Sequence, residues 1–518
     1  MNYIYLGDCL NVLREQVPNE SVDLIYIDPP FNSKRNYNIF FDDKEIQTQK
    51  IAFEDTWTLI NIQDSLAELN TLQTHNIYKL LTTYQEVAPQ AFPYLVMMGL
   101  RILELHQVLK PTGSFYLHCD PTMSHYLKTM ADVVFGTKNF LNEILWKRFN
   151  FHADAKRFGT ISDRILFYSK SENFIFNRQV KEYNEEYIEN KFTHYENNRR
   201  FRLDNLNPPG GRGPIYEFSG VTKPWRYTEE RMKELDKNGY IYKKSKIPQL
   251  IRYLDEMPGQ AIPDIWDDIA PINSQAKERL GYPTQKPKAL LERIINASSN
   301  EGDTVLDAFC GCGTSIDAAE SLHRKWIGID ISPIAISLIK RRLKDAYGKS
   351  LNKFEVRGVP EDEPSAIRLW NENPFAFQDW WLTEFEVFST TEGKKGADKG
   401  IDGIGQYMVG NNETTRVAFQ VKGGKVQSKD IDALIGVLSK HKCELGVFLT
   451  IEPATKPMLD TVAQQGFVEF NRVQYPKVQI FTLKDFFNNK NLKLPQDNVT
   501  FKAASFKGKK NKQIALEI

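Results

Sequence analysis

Apolar runs of four to six residues recur through the first third of the chain, alternating with longer stretches of helical spacing. Tyr3–Leu6, Val22–Ile27, Ser114–His118 and Arg164–Tyr168 are the runs, and Tyr94–Leu109 and Ser124–Phe135 are amphipathic stretches among them. Nearly continuous apolar strands alternating with helices predict a doubly wound α/β sheet whose strands are buried on both faces. From Ser171 to Leu280 the rhythm is lost. That region carries Arg199-Arg200-Phe201-Arg202, the loop Asn207–Gly213 and Lys223-Pro224-Trp225-Arg226-Tyr227. Strand and helix then alternate again, with a strand at Asp303–Phe309, a helix at Ser315–Leu322 and a strand at Lys325–Ile329.

Two strand ends carry candidate chemistry. Val22–Ile27 runs into Asp28-Pro29-Pro30-Phe31, at the carboxyl end where open α/β sheets place ligands. A carboxylate beside a backbone carbonyl can accept both hydrogens of an exocyclic amine, the prolines stiffen the turn, and Phe31 offers a face to a flat base. An ordinary strand-to-loop turn would also use Asp and Pro. The second strand, Asp303–Phe309, leads into Cys310-Gly311-Cys312-Gly313-Thr314 and a helix, and Asp330 follows about 20 residues beyond the glycines. Glycines so placed let backbone approach a ligand closely, and the acid can hold ribose hydroxyls. The run is not G-x-G-x-x-G, so a pyrophosphate cradle is not supported. A nucleoside carrying an amino acid, S-adenosylmethionine, suits such a loop.

The two motifs in this order, Asp28–Phe31 early and Asp307–Thr314 late, resemble the permuted beta class of DNA amino-methyltransferases. Gly7–Leu10, Gly113–Pro121, Asn142–Arg148 and Thr284–Pro287 extend the likeness over roughly the first 360 residues. The resemblance implies a Rossmann-like methyltransferase sheet, in which Asp28, Pro29, Pro30 and Phe31 handle the target base. Asp8, Lys286, Asp307, Phe309, Gly311, Gly313, Thr314 and Asp330 would then bind the cofactor. Asp307 is expected at the methionyl ammonium, Asp330 at the ribose and Asp8 towards the adenine. The Asp-Pro-Pro form favours the N6 amine of adenine, with N4 of cytosine as the alternative. Reaching a base inside duplex DNA requires flipping it out, and Trp146 is a candidate second stacking face or a core residue. Residues 1–170 and 281–360 are the expected catalytic and cofactor halves, and 171–280 an inserted target-recognition region. Arg, Lys and aromatics on Pro/Gly loops are what phosphate and base contacts require.

Beyond Trp370 the pattern restarts. A helix over Pro374–Trp381 precedes Gly400-Ile401-Asp402, a strand Arg416–Val421 and Lys422, then helix Asp430–Leu438, strand Leu445–Thr450 and helix Thr455–Gln464. This resembles the Mrr-like branch of the restriction-endonuclease fold, a smaller α/β domain expected over 370–490. It implies Asp402 and Gln420 as ligands of Mg²⁺ and Lys422 as a catalytic cation. Two departures stand against cleavage: Gln378 where the family often has Glu, and a neutral Gln420. A module that only grips DNA or a partner is the alternative. Residues 491–518 form an expected basic tail.

Composition adds limits. The 518 residues are 41% hydrophobic and 12% aromatic, long enough for two or three domains. A net charge of +1 means that binding to double-stranded DNA must rest on local patches. Five irregularly spaced cysteines and the absence of a long apolar run lead to an expectation of a reduced cytoplasmic location and no membrane partner. Cys310 and Cys312 lack a second pair for a zinc site. The resemblance admits a homodimer.

Overall fold

The computed structural model describes residues 1–30, 59–71, 74–149, 158–273, 276, 278–280, 285–389, 400–410 and 413–495. Phe31, Thr284, residues 396–399 and the 507–510 cluster lie outside the described residues. The first strands and helices are β1 (Asn2–Leu6), α1 (Cys9–Gln16), β2 (Val22–Ile27), α2 (Phe92–Val108), β3 (Leu109–Cys119), α3 (Ser124–Phe135), β4 (Phe140–Lys147) and β5 (Ser162–Ser169). They are joined later in the chain by β6 (Ile265–Trp266), α4 (Lys288–Ser298), β7 (Thr304–Asp307), α5 (Thr314–Ser321), β8 (Lys325–Asp330), α6 (Pro333–Tyr347) and β9 (Phe354–Arg357).

Nine of these strands form one sheet in the order β6-β4-β5-β3-β2-β7-β8-β1-β9. β5 runs antiparallel to both its neighbours, and the other pairings are parallel. Every residue of β2 is buried, which is why Val22–Ile27 reads as an apolar run without alternation. Its one acid, Asp23, is matched inside the sheet by Lys110 Nζ at 2.8 Å and the Thr304 amide at 2.9 Å. Ile25 and Ile27 pack into the large core with α1, α2 and α3. On the other face α4 contacts β2, and Tyr116 of β3 meets Ser298 of α4 at 2.7 Å. β2 and β7, whose paired residues are 281 apart in sequence, lie side by side, with Val305 paired to Leu24 and Leu306 to Ile25. The carboxyl ends of β2, β7 and β8 therefore open at one edge of the sheet.

Arg178–Pro263 is a separate compact unit, lying inside the expected 171–280 insertion. A four-stranded antiparallel sheet (Ile241–Tyr242, Gln249–Tyr253, Arg199–Asp204, His194–Glu196) packs with Leu206, Trp225 and Met232. The basic cluster is not a free row of cations. Arg199 pairs with Asp255 and Glu256 and lies 3.8 Å over Tyr253, and Arg202 pairs with Asp204. Arg200 donates to the Phe192 carbonyl at 2.6 Å. Trp225 is fully buried, so it builds the core and does not reach a ligand. Arg212 and Arg226 remain exposed, Arg212 following Gly210 and Gly211, both with positive φ.

The carboxyl-terminal elements are α7 (Glu363–Glu372), α8 (Pro374–Glu384), β10 (Phe388–Ser389), β11 (Gly403–Gly410), β12 (Glu413–Lys422), α9 (Ser428–Leu438), β13 (Leu445–Thr450), α10 (Lys456–Ala463) and β14 (Val478–Thr482). Their five strands form a sheet in sequence order. Its core starts earlier than Trp370, because Ala366 of α7 is buried with Phe377, Trp380 and Trp381 of α8. Among the described residues no helix is long and apolar enough to cross a membrane.

Candidate active site

Asp28 follows β2 directly, and Pro29 behind it is buried. One carboxylate oxygen, Oδ2, accepts from Lys286 Nζ, 258 residues away and buried just before α4. The other, Oδ1, is buried without a hydrogen-bond partner. An orphaned buried acceptor is costly unless a ligand satisfies it, so it marks a place where an N–H donor is missing. Lys286, expected on the cofactor side, sits instead on the Asp28 carboxylate. Its position ahead of α4, which packs on the β2 face, brings it there, a closeness that sequence distance hid.

The glycine loop after β7 is shaped by two acids. Asp307 Oδ1 accepts from the Phe309 amide at 3.0 Å and Oδ2 from the Ser315 hydroxyl. Asp330 at the end of β8 accepts from the Gly311 amide at 2.8 Å and the Ser332 amide at 2.9 Å. Burial pushes Asp307 up to about 7, with Asp28 and Asp330 adding to it, and pushes Asp330 up to about 6. Gly311 and Gly313 have φ of 50° and 74°, and a Cβ on Gly313 would lie 2.7 Å from Ile339 Cγ1. Thr314 opens α5 and is buried. Phe309 is partly buried against the main core.

Asp8 is occupied. Its carboxylate takes both bonds of Arg101 Nη2, at 2.7 and 2.8 Å, and caps α1 by accepting from the Leu10 amide at 2.8 Å. It sits beside the loop through the Gly7 amide, which donates to the Asp330 carbonyl at 3.0 Å. Trp146 is interior: it is buried, donates to the Ile269 carbonyl at 2.9 Å and packs edge-on to His118.

Sequence reasoning missed Arg342. Buried on α6, it donates to the Cys312 carbonyl at 3.1 Å and Thr314 Oγ1 at 2.9 Å through one nitrogen, and to Asp317 at 3.0 Å through Nε. Burial pushes Asp317 up, but Arg342, Lys288 and Tyr347 more than offset this and hold it below the ordinary carboxylate range. The only signal in the sequence was an Arg on an otherwise apolar helix face. A planar fork suits three acceptors in fixed positions, and an ammonium does not. Arg342→Lys is therefore expected to loosen the glycine loop and weaken S-adenosylmethionine binding about tenfold. Calorimetric titration checks this, and an unchanged dissociation constant would contradict it.

In the carboxyl-terminal sheet, Asp402 precedes β11 and is buried; its Oδ2 accepts from the Val421 amide at 2.7 Å. Gln420 on β12 is buried with Oε1 unpartnered. Gly403 pairs with Phe419, so Asp402 and Gln420 come next to each other, and Lys422 is half-buried two residues on. Among the described residues no three His, Cys, Asp or Glu side chains gather as a metal cage.

A family model described as DNA methylase matches residues 22–341, and one described as NACHT-associated inactive restriction endonuclease 1 matches residues 377–488. The type II methyltransferase M.EcaI of Enterobacter cloacae is 28% identical, over 68% of this chain and 73% of its own length. The StyLTI Mod subunit of a type III restriction-modification enzyme from Salmonella typhimurium is 27% identical, over 62% of this chain and 50% of its own. The DNA adenine methyltransferase YhdJ of Escherichia coli is 27% identical, over 65% of this chain and 81% of its own. Among solved structures, the cytosine-N4-specific PvuII DNA methyltransferase is 16% identical over 66% of this chain and 86% of its own, with a TM-score of 0.34, too slight a likeness to bear on the site.

Proposed function

We propose that this chain, which belongs to the DNA methylase family, moves a methyl group from S-adenosylmethionine to the exocyclic N6 amine of adenine in duplex DNA. The observation that carries this reading is the buried, unpartnered Oδ1 of Asp28 at the end of β2, one strand away from the glycine loop. S-adenosylmethionine supplies a methyl carbon on a sulfonium, already a strong electrophile. The chain's own task is positioning and charge complementarity. Asp28 Oδ1 and the Pro29 carbonyl accept the two amine hydrogens, which turns the nitrogen lone pair out of the ring. Lys286 keeps Oδ2 occupied, so the carboxylate has one direction left in which to accept. The relative described as an adenine methyltransferase supports N6 over N4. Sequencing DNA from cells that express the chain, with methylated positions identified, tests the reading. N6-methyladenine at a defined site is expected, and N4-methylcytosine or unmodified DNA would overturn it.

The loop fits a cationic nucleoside. Asp307 and Asp330 each retain lone pairs beyond their loop contacts, and a cation beside them relieves the cost of ionising buried acids. Both are pushed up, so both gain charge as pH rises from 6 to 8. Affinity for S-adenosylmethionine is expected to rise about tenfold over that range, and calorimetry at pH 6, 7 and 8 measures it. The sign for the unliganded fold is opposite. The folded chain holds protons that the unfolded chain releases, so these acids cost stability as pH climbs from about 4 through 7. A flat affinity profile would remove these carboxylates from the cofactor site.

For the carboxyl-terminal module, the favoured reading is one that grips DNA or a partner without cutting. Asp402 has one oxygen committed to the Val421 amide, and Gln420 adds a single neutral oxygen. With one Asp402 oxygen held by a backbone amide and Gln420 bringing no charge, little negative charge is left to hold Mg²⁺, and the matching model is of an inactive nuclease. Intact plasmid is expected with and without Mg²⁺. Cleavage that is lost in Asp402→Ala or Lys422→Ala would restore the nuclease reading.

A further inference from the structure

Beneath the candidate active site lies a row of polar side chains that methyl transfer, as described above, does not use. Tyr26 Oη is 2.9 Å from His118 Nδ1, and His118 Nε2 is 2.9 Å from Asp163 Oδ2. The three come from β2, β3 and β5, and their exposures are 2%, 0% and 3%. Arg148, at the rim, donates to the other oxygen of Asp163 at 3.1 Å.

The directions of the hydrogen bonds follow from chemistry. Asp163 is held below the ordinary carboxylate range: burial pushes it up, but the bond from His118 and the charges of Arg148 and Lys286 outweigh that. A carboxylate only accepts, so His118 Nε2 carries the hydrogen. Burial, with Lys286 adding to it, holds His118 below its usual value and outweighs the pull of Asp28 and Asp163, so the imidazole is neutral. Nδ1 then accepts, and Tyr26 donates. One tautomer satisfies the whole line.

Its location ties it to Asp28. Strand residues two apart share a face, so Tyr26 and Asp28 project to the same side of β2. The β2–β3 register pairs Tyr26 with Tyr116 and Ile27 with Leu117, and one further step sets His118 opposite Asp28. A buried polar row is costly where apolar side chains would fill the space, and when fully satisfied it specifies a single arrangement.

We propose that Tyr26, His118 and Asp163 are positioning residues for methyl transfer: Asp163 fixes His118, His118 fixes Tyr26, and Tyr26 fixes the strand end from which Asp28 reaches the amine. The proposal rests on the DNA methylase reading and deepens it. Its test uses the full chain with labelled S-adenosylmethionine and genomic DNA from a methylation-deficient strain. Tyr26→Phe removes one oxygen and keeps the ring. Asp163→Asn removes the charge, and with Arg148 taking its one oxygen its amide nitrogen faces His118, which forces the other tautomer and breaks the line. Each is expected to slow single-turnover methyl transfer about tenfold, with dissociation constants for S-adenosylmethionine and DNA within about twofold of the parent. The double variant should be no slower than the slower single one, because a line broken once is already broken. Parent-like transfer by Tyr26→Phe, or losses that multiply in the double variant, would overturn the proposal while the methylase reading stands. Should the Asp163 variant fail to fold, Tyr26→Phe decides alone. No transfer by the parent chain would overturn both.

Discussion

Asp28→Ala is expected to lower methyl transfer to DNA by about 10²–10³-fold, the loss that follows removal of one preorganised hydrogen-bonding group at a reacting centre. Oδ1 is the acceptor left open for the amine. The same change breaks the ion pair between Asp28 and Lys286. Breaking a buried pair costs about 3–5 kcal/mol, and residual exposure at both residues places this case towards the lower figure. Two companions separate chemistry from stability. Asp28→Asn keeps the shape, but Lys286 takes its one oxygen, so its amide hydrogens face the incoming amine. The pair Asp28→Ala with Lys286→Met removes both charges together and should regain thermal stability without regaining activity. Single-turnover assays and thermal melts on the three variants read this out. Parent-like transfer by Asp28→Ala, with the protein folded, would end the account of the site.

Gly313→Ala is expected to abolish cofactor binding at working concentrations, weakening it by about a hundredfold. The φ of 74° costs an L-residue about 1–2 kcal/mol. The new Cβ also meets Ile339 Cγ1 at 2.7 Å, and Ile339 is fully buried on α6, where it has no room to move aside. Overpacking of this kind costs about 1–3 kcal/mol. The cheapest relief is a shift of the loop, which carries the Gly311 amide away from Asp330. Adding Ile339→Ala removes the steric part alone, so the double variant should recover part of the affinity and keep the conformational cost. Full recovery would show that packing alone was at stake. Unchanged binding by the single variant would show that the loop does not hold the cofactor.

The hydrophobic pattern was enough to find most of the large sheet. β2, α3 and β13 have the expected bounds, and α2, β8 and α9 differ by no more than two residues at either end. Local chemistry fixes these elements: strands buried on both faces are apolar throughout, and a helix between them has one apolar stripe. The same reasoning placed Asp28 and the Cys310–Thr314 loop at strand ends. It read the arginines of 199–202 as ligand contacts, whereas three close acids and a tyrosine face take up their charge within the unit. A charged residue's partners lie across the fold, and spacing along the chain does not reveal them.

Sequence alone determined most strands of the large sheet, where their carboxyl ends carry acids and glycines, and that two chemistries follow one another along the chain. Tertiary structure alone decided that β2 and β7 are neighbours, that Lys286 occupies one oxygen of Asp28, and that Arg342 braces the glycine loop. It also aligned Tyr26, His118 and Asp163 beneath the carboxylate. The physical reason is range: backbone conformation and burial period act over a few residues, whereas hydrogen bonds and ion pairs join whatever the folded sheet brings within about 3 Å.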